Sequence, residues 1–148
     1  MFVEQKNAKS GKAKNGKGYL RAGNLSIFSC RKEKMKNTPE LIVMLTHHDR
    51  TVADAAEVFE SCKNTPVRVW GMKEESLPFL QMKALYTYMK ELGKTTALEV
   101  VAYSEKESLA GAKMAVECGC DILMGTVFSD SVNDFCKDNG LIYTPFVG

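Results

Sequence analysis

From Leu41 onward the chain repeats one pattern: a short apolar run, a polar break, then apolar residues at helical spacing. It occurs four times and closes on a fifth apolar run. A short run bounded by turn formers reads as a strand buried on both faces. Such strands, separated by helices, build a parallel sheet with right-handed crossovers. The first run, Leu41–Thr46, breaks into Thr46, His47, His48, Asp49 and Arg50, so its carboxyl end carries groups able to do chemistry.

The spacing then sets the remaining elements. Thr51 is a candidate N-cap, with Val52, Ala55, Ala56, Phe59 and Cys62 on one helical face until Asn64-Thr-Pro66 stops it. A second strand, Val67–Gly71, ends at Met72 and Lys73, and Ser76 is placed to cap a second helix that Gly93 terminates. Its stripe is Phe79, Met82, Leu85, Tyr86, Met89 and Leu92; Trp70 and the helix methionines are assigned to the core. The third strand is Ala97–Ala102, and Ser104 and Glu107 have capping-box spacing for a helix ending at Gly119. Asp121–Gly125 is a fourth strand, Ser129 caps a helix ending at Gly140, and Leu141–Gly148 is a fifth strand.

Upstream the composition changes. Residues 1–36 hold ten Lys or Arg against two Glu, with glycines scattered among them and only Leu25–Ser29 as an apolar patch. Such a stretch buries too little to offset its ordering entropy, so a disordered basic leader is expected, followed by a domain at 37–148. The domain itself is mildly acidic, which gives no argument for nucleic-acid binding by the folded part. The sequence has no run of eighteen apolar residues, so no membrane partner is expected. Five cysteines without framework spacing suit reduced thiols in a cytoplasm, and Cys118-Gly-Cys120 lacks the four ligands of a structural zinc site. The sequence gives no sign of a cofactor.

Two architectures fit these units. One is an open, doubly wound flavodoxin-like sheet, complete at this size and suited to binding a nucleotide or a partner. The other is a TIM-barrel-like half: four βα units plus a fifth strand, where a full barrel needs about 250 residues. The segments Thr46–Val52, Gly71–Lys73, Leu98–Val101, Gly119–Thr126 and Gly140–Gly148 resemble the first half of a phosphate-binding β/α barrel. Among barrels of known activity the segments resemble the 2-keto-3-deoxy-6-phosphogluconate aldolase group, and uncharacterised barrels of the same kind resemble them more closely. The resemblance implies a lyase or isomerase acting on a small phosphorylated or carboxylated carbonyl compound. In that aldolase the Schiff-base lysine comes from strand six and the phosphate cup from the last strands. A truncated, catalytically incomplete enzyme is therefore the expectation, with a dimerising non-catalytic half-barrel as an alternative.

In a parallel β/α fold, ligands bind at the carboxyl ends of the strands. Those ends offer His47, His48 and Asp49, then Lys73, then Glu99, then Thr126. Glu99 lies inside an apolar strand, on the face of Val101 and Tyr103, and needs a partner there; Lys73 on the neighbouring strand is the expected one. Lys73 and Glu99 are the leading catalytic candidates, as anchor or nucleophile and as acid or base. His47 and Asp49 are placed with them, and His48 and Thr126 as substrate contacts. The competing account makes Lys73–Glu99 a structural ion pair and Asp49 a helix cap. Adjacent histidines on an extended segment point apart, so no more than one could join Asp49 and Glu99 around a divalent ion, and no metal is assigned. Glu74 and Glu75 read as solvated loop. Open first and fifth strands invite a homodimer.

Overall fold

The structure, a computed structural model, describes residues 39–146; the leader lies outside the described residues. The fold is α/β, built from parallel β/α repeats in a half-barrel-like arrangement. The first unit runs from β1 (Ile42–Met44) through a small hairpin, β2 (Thr46–His47) and β3 (Arg50–Thr51), to α1 (Ala55–Cys62). Next come β4 (Val69–Lys73) with α2 (Phe79–Glu91), β5 (Thr95–Ala102) with α3 (Glu105–Cys118), and β6 (Ile122–Val127) with α4 (Asp130–Asp138). Strand β7 (Ile142–Phe146) completes a five-stranded sheet.

Strand order is β1-β4-β5-β6-β7, each pair parallel. The order never reverses, so the sheet has no switch point of the doubly wound kind. Every right-handed crossover then lays its helix on the same face. The packing agrees: Phe59 of α1 meets Trp70 of β4 and Tyr88 of α2 edge-on at 5.1 and 5.9 Å. Gly111 of α3 presses on Val100 of β5, where a Cβ would stand 2.7 Å from the valine. Between these layers lies the core, with Met72, Met82, Tyr86, Met89, Leu98 and Leu123 fully buried. Trp70 and the helix methionines are core, as the stripe implied; Phe79 and Leu92, at its margin, stay partly exposed.

The opposite face of the sheet carries apolar side chains without a second layer among the described residues. Met44, Val101, Ile122 and Met124 are half-buried there, and Ile142 and Phe146 are exposed. Met44 crosses β4 at Gly71, where an added Cβ would press on the Met44 sulfur and make that flexible side chain move.

Three local expectations need correction. Thr51 belongs to β3 and not to a helix cap; α1 starts later, behind Asp54. Ser76 has φ +81°, outside the extended backbone a cap requires, and α2 begins after Pro78. Ser129 holds the N-cap position of α4 but gives its hydroxyl to Glu105 at 2.7 Å instead of capping. Ser104 caps α3 as the spacing implied, accepting from the Glu107 N–H at 3.3 Å, and Gly119 ends it at φ +74°.

Candidate active site

Strand β1 ends at Met44, and the polar residues beyond Leu45 fold back as the β2–β3 hairpin. Thr46 pairs with Thr51 and His47 with Arg50, leaving His48 and Asp49 as a two-residue turn. Both turn residues have positive φ, +48° and +62°, as the primed turns that match strand twist require. Aspartate tolerates this region because its short side chain bonds locally.

Thr51 fixes the root of the hairpin to the end of β4. Its hydroxyl donates to the Lys73 carbonyl at 2.8 Å and accepts the Lys73 N–H at 2.9 Å, standing in for a rung of sheet. This seat places Asp49 over the Lys73 side chain. The ammonium reaches Asp49 Oδ1 at 2.6 Å. Lys73 is nearly buried, with 5% of its side chain exposed, whereas 83% of the Asp49 side chain is exposed.

The charged partner of Lys73 is thus Asp49, not Glu99 as the strand pattern implied. Lys73 and Glu99 do stand in register on β4 and β5, so the carboxylate lies one strand away. Burial alone would push the Lys73 amine down. Burial is the largest single influence, but the Asp49 hydrogen bond and the charges of Glu99, Asp49 and Glu74 together outweigh it, and the amine is held above its ordinary 10.5. The side chain is a fixed cation.

Glu99 is half-buried and its stem lies against Gly125, where a Cβ would come within 2.9 Å of both Glu99 Cγ and the Val100 carbonyl. Gly125 has φ +89°, and the register between β5 and β6 slips beside it, between Glu99 and Ala102. Alternation within β5 holds, with Leu98, Val100 and Ala102 buried and Glu99 and Val101 half-buried.

Glu74 is the residue that sequence reasoning missed. It is half-buried beside Lys73, accepting the Val101 N–H on Oε1 at 3.3 Å, while Oε2 is buried and has no protein partner. Burial pushes its carboxyl above 4.5, against the pull of its own and Val101's N–H groups and of Lys73. An acidic pair after a strand gives no sign that one member turns inward.

Among the described residues neither histidine nor Thr126 is hydrogen-bonded or ion-paired to Lys73, Asp49, Glu74 or Glu99. The His47 and His48 rings are exposed and face each other with centroids 3.9 Å apart, because the turn at His48 undoes the alternation of an extended strand. Thr126 is fully buried; Tyr143 donates to the Val127 carbonyl at 2.8 Å, so Thr126 donates to Tyr143 at 2.8 Å. It ties β6 to β7. Among the described residues no three His, Cys, Asp or Glu side chains gather as a metal site, so His47, Asp49 and Glu99 are not brought together as ligands. Burial pushes the Cys118, Cys120 and Cys136 thiols up, which keeps these three protonated and unreactive.

A cavity of about 390 Å³ lies elsewhere, between α1 and α2, lined by Ala53, Ala56, Leu77 and Leu85 with Glu57 and Tyr88. It is apolar, whereas the charged groups gather at the carboxyl ends of β4 and β5. No helix among the described residues is long and apolar enough to cross a membrane. No family model matches the chain, and no curated protein matches it.

Proposed function

We propose that the rim formed by β4 and β5 belongs to a lyase or isomerase of the β/α-barrel type, acting on a small phosphorylated or carboxylated carbonyl compound. One observation carries this reading: a buried, permanently charged Lys73 stands at a strand's carboxyl end, in register with the half-buried carboxylate of Glu99. A fixed cation holds an anionic group and draws electrons from a carbonyl beside it. A carboxylate next to it can take the proton from the carbon alongside that carbonyl. A raised amine pKa suits this anchoring role better than Schiff-base attack, which needs a neutral amine. His47 and Asp49 frame the entrance from the hairpin. The substrate is a small molecule, and the proposed setting is the cytoplasm, in keeping with the cysteine usage.

The test follows proton exchange by NMR, with pyruvate and dihydroxyacetone phosphate as probes in deuterated buffer. Exchange faster than buffer is expected, falling roughly 10²-fold or more in Glu99→Gln. Lys73→Met is expected to raise the substrate concentration needed. Exchange at the buffer rate, or exchange indifferent to Glu99→Gln, sinks the reading.

A second reading rests on a separate observation, the uncovered apolar face. Ile142 and Phe146 are 56% and 47% exposed on β7, and among the described residues β7 and β1 are the two edges of the sheet. A sheet normally buries both faces, and open edges pair. On this reading two copies close on each other through β1 and β7 as a non-catalytic half-barrel dimer.

A further inference from the structure

Lys73 and Asp49 differ sharply in setting. The cation is buried and its backbone is clamped both ways by Thr51. Its counter-ion rides on the exposed tip of a hairpin whose paired part ends at His47 and Arg50. The fixed charge is therefore neutralised by a group on an exposed turn. Because the cation is buried it needs an anion at this seat, and because the carboxylate there is exposed another carboxylate can take its place.

We propose that the Asp49 carboxylate is a resident stand-in, seated where the carboxylate of a small ligand binds the Lys73 ammonium, and that the ligand displaces it by swinging the hairpin tip outward. This rests on the reading of Lys73 as the anion anchor, and it narrows the ligand. Around the single ammonium stand Asp49 at 2.6 Å, Glu99 in register on β5, and Glu74 next in the chain. Arg50, on the hairpin, is turned to Glu75 at 3.4 Å. Negative charge is already in excess. A carboxylate replaces Asp49 charge for charge, whereas a phosphate dianion adds one more negative charge beside Glu99 and Glu74. The group held at Lys73 is thus a carboxylate, and any phosphoryl group of the same ligand lies away from it.

The test is an NMR titration of amide shifts at Lys73 and Thr51, at constant ionic strength, with acetate and with inorganic phosphate. Acetate is the chemical equivalent of the aspartate side chain. Asp49→Gly vacates the seat and keeps the turn, since glycine adopts positive φ freely; Asp49→Asn keeps the shape and removes the charge. Acetate is expected to bind Asp49→Gly about fivefold more tightly than the wild type, because the competing occupant is gone. Asp49→Asn is expected to fall between them, Lys73→Met to lose the response, and phosphate to bind less tightly than acetate. Acetate affinity unchanged or weakened in Asp49→Gly, no saturable response, or a preference for phosphate overturns the proposal. Proton exchange reports separately: exchange without tighter acetate binding defeats the stand-in alone, and tighter acetate binding without exchange defeats the lyase or isomerase reading alone.

Discussion

The Thr51 hydroxyl sits buried between two backbone groups of Lys73 and serves both. Replacing it by valine keeps the volume and strands a buried N–H and a buried carbonyl. We expect Thr51→Val to cost about 2 kcal/mol in urea denaturation; a loss near zero would mean the hairpin root is held by something else. Glu74 gives a pH-dependent expectation. Its folded pKa is raised, so the folded state binds the extra proton and ionising the carboxyl destabilises the fold. The penalty is absent below the ordinary value of 4.5, grows as pH rises through the raised value, and is complete above it. Glu74→Gln should therefore gain stability relative to the wild type between pH 4.5 and pH 8; a pH-independent difference contradicts this. Residue identities at the rim were legible in the sequence, because strand ends are where polar residues follow apolar runs. Their pairing was not. Lys73 meets Asp49 through a turn that only the folded hairpin creates, and Glu74 turns inward to an N–H beside the register slip.

Helices α3 and α4 were legible because their end signals are local: Ser104 and Glu107, Ser129, Gly119 and Gly140 all fall at helix termini. Ser104→Ala should cost about 1 kcal/mol, read as a drop in thermal midpoint. The β2–β3 hairpin was hidden, since His48-Asp49 is not an Asn-Gly or Asp-Gly turn and its flanks read as loop. The slip between β5 and β6 was hidden too, because Val100 and Val101 suit either face of a strand. Gly125 is its one sequence trace. Gly125→Ala combines positive φ with contacts of 2.9 Å to Glu99 and the Val100 carbonyl, and is expected to cost about 1–3 kcal/mol and shift Glu99. An unchanged denaturation midpoint would remove the tight crossing as the reason for glycine.

At the scale of the molecule, the sequence specified parallel β/α units and left their order open. The same right-handed unit builds a doubly wound sheet or a half-barrel, depending on the edge to which each strand adds. Here every strand adds to the same edge, which gathers the helices on one face and leaves apolar residues on the other. If a second copy covers that face, Ile142→Lys with Phe146→Lys should convert a dimer to monomer in sedimentation; a wild-type monomer removes the second reading. The central claim is that Lys73 and Glu99 act together on a carbonyl compound, and methyl-proton exchange of pyruvate in deuterated buffer tests it most directly. Exchange above the buffer rate, abolished in Glu99→Gln while the fold survives, is the expected result. Equal rates for buffer, wild type and Glu99→Gln, and the same result with dihydroxyacetone phosphate, would contradict it.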